Sequence, residues 1–84
     1  MATKAHPLVR ESVELHRRVV DAELRLAKER LKAFESKHGL TSEVFEGKFA
    51  AGTLGDDREW FDWAAELEVA RALEQKLSAL RGLP

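Results

Sequence analysis

Asp56, Asp57, Glu59, Asp62 and Glu66 crowd into eleven residues and are the only set in this sequence dense enough to suggest metal or acid–base chemistry. Asp62 and Glu66 are spaced i,i+4, so on a helix their carboxylates share a face, with Glu59 nearby. A hard cation needs several converging oxygens, and an EF-hand loop alternates its ligands around a central glycine. That alternation is missing here. The competing reading is that these acids serve the start of a helix, where negative charge meets the positive end of the dipole. What capping leaves over would then be an ionic patch for a partner. His6, His16 and His38 lie far apart and share no ligand spacing such as H-x-x-x-H. No Ser/His/Asp or Cys/His arrangement occurs, and the glycines do not form a phosphate-cradling loop. The expectation is a non-enzymatic chain with no cofactor and no metal site.

The elements that position these groups must come from 84 residues, one small domain at most. A chain this short buries only about 60–65% of its surface on folding, so a lone core needs reinforcement. There are no cysteines, which removes disulfides and leaves self-association as the reinforcement to expect. Fourteen basic and fifteen acidic residues give a near-neutral, mixed-sign surface, unlike the basic footprint of a general nucleic-acid binder. Nucleic acid is therefore not an expected partner of the chain on its own. The start, Met-Ala-Thr-Lys-Ala-His-Pro, carries no secretory apolar segment. No apolar run approaches the roughly 20 residues of a membrane span. Cytoplasmic placement and no membrane contact follow as expectations.

The pattern is helical throughout, in a single domain over 1–84. After a tail at 1–7, a first helix is predicted over about 8–38, started by Pro7 and stopped by Gly39-Leu40. On a helical wheel it carries two apolar stripes. One holds Val9, Val13, Val20, Leu24, Ala27, Leu31 and Phe34. The other, roughly 120–140° round, holds Leu8, Leu15, Val19, Ala22, Leu26 and Ala33. A hairpin partner can cover one stripe; the other must meet the short helix or another copy of the chain. Thr41 and Ser42 suit the start of a short helix over about 42–51 that stands Phe45 and Phe49 on one face. Gly55 frees the backbone, and Asp56, with Glu59 three residues on, reads as an aspartate-led capping box for a third helix over about 57–81. Its main stripe is Trp60, Trp63, Ala64, Leu67, Ala70, Leu73, Leu77 and Leu80, interrupted by Glu74. Phe61, Ala65, Val69 and Ala72 form a weaker apolar strip on the opposite side. The fold class is all-α: two long amphipathic helices flanking a short one, a hairpin or bundle completed by self-association.

Trp60 and Trp63 admit two readings, core residues that clamp the short helix or interface anchors. The basic strip Arg17, Arg18, Arg25, Lys28 and Lys32 is interleaved with Glu14, Asp21 and Glu29, as on a solvated helix face.

One stretch is distinctive. The runs Phe34-Glu35-x-Lys37-x-Gly39, Phe45-x-x-x-Phe49, Gly52-x-Leu54-Gly55-Asp56-Asp57 and Trp60-x-x-Trp63 resemble a group of short helical prokaryotic proteins, many of which look like the antitoxin half of toxin–antitoxin pairs. The resemblance spans Phe34 to Leu73, and its most specific part is the G-x-L-G-D-D junction. It implies a role in binding a co-encoded protein such as a toxin, and offers no catalytic motif to carry over.

The preferred reading is thus a partner-binding helical protein of antitoxin type. The expected partner surface is Trp60, Phe61, Trp63, Ala65, Val69 and Ala72, with Asp57 and Asp62 as acidic rim. Leu15, Val19, Ala22 and Leu26 are the expected self-association contacts. The alternatives are a self-associating scaffold and a small regulator that touches DNA through the basic strip.

Overall fold

The structure, a computed structural model, describes residues 7–82. The predicted tail at 1–7 lies, but for Pro7, outside them. Three helices follow one another: α1 (Pro7–His38), α2 (Ser42–Ala50) and α3 (Arg58–Arg81). Helices α1 and α3 pack side by side as an antiparallel pair, and α2 closes the end where the chain turns. The all-α reading with two long helices around a short one is what the chain adopts.

The turn is built by residues chosen for backbone geometry. Gly39 ends α1 at φ 65°, its N–H donating to the Glu35 carbonyl at 2.8 Å, the left-handed stop that a side chain disfavours. Thr41 caps α2, its hydroxyl accepting from the Val44 N–H at 3.2 Å. Gly55 sits at φ 84° just before α3. The cap of α3 differs from expectation by one residue. Asp57, extended at φ −61° and ψ 133°, accepts from the Glu59 N–H at 3.2 Å. Asp56 lies one residue outside, too far from the first turn to cap it. With Asp57 as cap, the third helical position is Trp60, which has no acceptor to return the bond, so no capping box forms, and the Glu59 carboxylate goes to Lys37 instead.

The core lies along the first stripe of α1. Val20, Leu24, Ala27 and Leu31 are buried against Trp63, Leu67, Ala70 and Leu77 of α3, with Phe45 of α2 filling the closed end. The register is regular: Lys37 faces Glu59 and Arg30 faces Glu66, seven residues back on one helix and seven forward on the other. That is the heptad spacing of two helices meeting along one stripe. Glu74, which breaks the main stripe of α3, is exposed.

Helix α1 has 32 residues and α3 has 24, so at 1.5 Å per residue α1 overshoots by about 12 Å. The overshoot is at its N-terminal end, where Leu8 and Val9 are exposed. The molecule measures 60 × 21 × 17 Å, with a radius of gyration of 17.4 Å against about 12 Å for a compact chain of this length. It is a rod, with little interior. The short helix packs on α3 and does not fold back over the second stripe of α1, where Leu15, Val19 and Leu26 are 62%, 47% and 50% exposed.

Candidate partner-binding surface

The surfaces open to a partner are defined by what the closed end consumes. Trp63 is wholly buried. Its ring lies flat against Phe45 at 4.0 Å between centroids and against Phe34 at 5.5 Å. Its indole N–H donates to the Ser42 hydroxyl at 3.1 Å. That hydroxyl donates in turn to the Glu35 carboxylate at 2.7 Å, which also accepts the Ser42 backbone N–H at 2.9 Å. Trp63, expected as part of the partner surface, is a core residue, and its polar edge is spoken for. Trp60 is half-buried on the same cluster, 6.0 Å from Phe45.

His38 wedges beside both indoles, 4.6 Å from Trp60 and 5.6 Å from Trp63. Its buried Nε2 is 3.1 Å from the Glu59 carboxylate, at ion-pair distance but off the hydrogen-bond line. Glu59 also accepts both bonds from the Lys37 ammonium, at 2.9 and 3.1 Å. Those contacts, Lys37 first and His38 second, hold its carboxyl below the ordinary 4.5. Lys37 and His38 stand in the last turn of α1, where cations suit the negative end of the helix dipole. Their partner lies over 20 residues away, which no local pattern reports.

The acidic cluster is dispersed by the fold. Asp57 caps α3, Glu59 is tied to Lys37, and Glu66 reaches Arg30 at 3.7 Å. Asp62 borders a groove between α1 and α3 with Ala33, Phe34 and Arg30. Among the described residues no group of three or more acids and histidines converges as cation ligands would.

The outer face of α3 remains open. Phe61 is 53% exposed and Val69 48%, with Ala65 and Ala72 exposed beside them. Of the six aromatic side chains, Phe61 alone is exposed. It is not isolated: Phe49 of α2 meets it edge to face at 5.2 Å. On that flank a groove runs between α2 and α3, floored by Phe45, Phe49, Ala64 and Leu67. Glu46 and Arg71 form a forked ion pair across its rim, one arm at 2.9 Å. The Arg71 guanidinium holds the Glu46 carboxyl below its usual range. Asp62 flanks the Phe61 strip on the other side. The structure therefore gathers Phe61, Ala65, Val69 and Ala72 into one face and excludes Trp63 from it.

The three arginines of the basic strip are matched along α1 itself. Arg17 and Arg18 both reach Glu14, and Arg25 reaches Asp21 at 3.0 Å. Arg17 donates to Glu14, which lowers that carboxyl and raises the guanidinium. No described helix is long and apolar enough to cross a membrane. Compared with protein-family models, curated proteins and solved structures, the chain matches none.

Proposed function

We propose that this chain is a non-enzymatic protein-binding module of antitoxin type, which grips a co-encoded partner through the outer face of α3. The observation that carries the reading is Phe61, a large aromatic left half in solvent by a fold that packs every other ring. An aromatic anchor at the centre of an aliphatic patch, rimmed by charge, is the anatomy of a specific interface. The groove beside it extends the apolar centre toward Phe49, and Asp62 and Glu68 supply carboxylates on its two flanks. A basic partner, such as a protein that handles nucleic acid, suits that rim. The resemblance of the Phe34–Leu73 segment to antitoxin-like helical proteins points the same way.

The test is co-expression with the protein encoded beside this chain. The two should co-purify, and the neighbour's toxicity should fall when this chain is present. Phe61→Ala should weaken the complex by roughly 1–4 kcal/mol, the cost of truncating an interface anchor, while leaving the melt of the isolated chain nearly unchanged. A neighbour that neither co-purifies nor loses toxicity would overturn the proposal.

A further inference from the structure

The second stripe of α1 follows a coiled-coil repeat that no other described helix of the chain covers. We infer that this stripe is covered by a second copy of the same chain, running antiparallel and centred between Val19 and Ala22. This goes beyond the α3 reading and uses a different surface.

Leu15, Val19, Ala22 and Leu26 are spaced by four, three and four, alternating d and a positions of a heptad. They lie on one side of α1, roughly 130° from the stripe that meets α3, and are exposed. The occupant is identified by self-complementarity. In an antiparallel pair with this centre, Leu15 meets Leu26 of the second copy and Val19 meets Ala22, so large residues face large and small ones are shared. At the flanking positions Glu11 meets Lys32, and His16 meets Glu23 as hydrogen-bond donor to carboxylate. Glu29, which occupies a d position, meets the Ser12 hydroxyl.

A parallel pair loses these matches. It sets Glu29 against Glu29 within the apolar strip and Arg25 against Arg30 on its flank, like charges in both cases. The antiparallel pair has one like contact, Arg18 with Arg25. Both arginines are already held by carboxylates of their own helix, Glu14 and Asp21. An interface of one helix face is small, of the size at which weak, transient associations are found.

The absence of cysteine allows a direct test with the purified full chain. By sedimentation at tens of micromolar, a range suited to such affinities, the protein should give twice the chain mass. Leu26→Glu should return it to the single-chain mass with helical circular dichroism unchanged, since Leu26 is half exposed within its own chain. Orientation is read from Leu15→Cys and Leu26→Cys chains under mild oxidation. A disulfide-linked pair should form when the two are mixed, and neither should link alone. Single-chain mass at these concentrations, or efficient linkage of either variant to itself, overturns the inference. Because no other protein is present, failure here leaves the α3 proposal standing, and Phe61→Ala should remain dimeric.

Discussion

A buried indole N–H costs free energy unless an acceptor is provided, and Ser42 provides it for Trp63. The same hydroxyl donates to Glu35, so one small side chain links the end of α1, the start of α2 and the first turns of α3. Ser42→Ala should therefore cost about 1–3 kcal/mol, the penalty of leaving a buried donor unpaired, measured by urea denaturation. A loss within a few tenths of a kcal/mol would mean that water replaces the hydroxyl. Little of this was legible from the sequence. Thr41 and Ser42 both suit a helix start, and only Thr41 proves to cap. Ser42's partners stand seven and 21 residues away, beyond any helical period. Asp56 and Asp57 posed the same difficulty, two adjacent residues of one type whose roles differ by a single step of backbone. Gly55, by contrast, announced itself, because a glycine before an aspartate pair is where a positive φ is needed.

Between elements, the long-range contacts are apolar at the centre and ionic at the margins. The wheel positions of α1 and α3 revealed the central stripes, since burial repeats with the helix period. They also revealed the second stripe of α1, whose Leu15, Val19 and Leu26 stay outside the hairpin as that reading has them. What they could not show is that Trp63 would be sealed in while Trp60, on the same stripe, stayed half-buried. The residues on which the proposed likeness to antitoxin-like proteins rests are absorbed by this junction: Phe34 and Phe45 stack on Trp63, Glu35 binds Ser42, Lys37 binds Glu59, and Gly39, Gly52 and Gly55 all take positive φ. Their types thus speak for the turn, and Phe61 lies outside the motif. Lys37 with Glu59 and Arg71 with Glu46 tie α3 to α1 and α2 at this end, and both carboxyls are lowered in the folded chain. A carboxyl lowered on folding contributes stability above its unfolded value near 4.5, and loses it as pH falls through the lower folded value. The melting temperature should hold from neutrality down to about pH 5 and then drop below about pH 4.5. Glu59→Gln should melt lower at neutral pH and show a shallower acid decline. An unchanged decline in Glu59→Gln would assign the acid sensitivity to other carboxylates.

At the scale of the whole molecule, charge is distributed in small opposed pairs and does not build a field. The chain is nearly neutral, with 14 basic and 15 acidic residues. The arginines that would face a phosphate backbone are engaged with Glu14 and Asp21 a turn away on the same helix. A duplex would have to win those guanidiniums from carboxylates and would bring the carboxylates close to its own phosphates. Affinity for nucleic acid comes chiefly from released counterions, about one for each phosphate neutralised, and a strip whose arginines are already compensated releases fewer. The purified chain should therefore fail to retain duplex DNA at about 150 mM salt, where non-specific binders typically hold at 10⁻⁴–10⁻⁶ M. Tight retention that falls steeply as salt rises would show that the strip acts as a phosphate-binding face. It would favour a DNA-contacting regulator over a protein-binding module. Arg18→Ala with Arg25→Ala would locate the effect: those two lie 75% and 79% exposed, and their removal would reduce the salt slope only if α1 is the surface that touches the duplex.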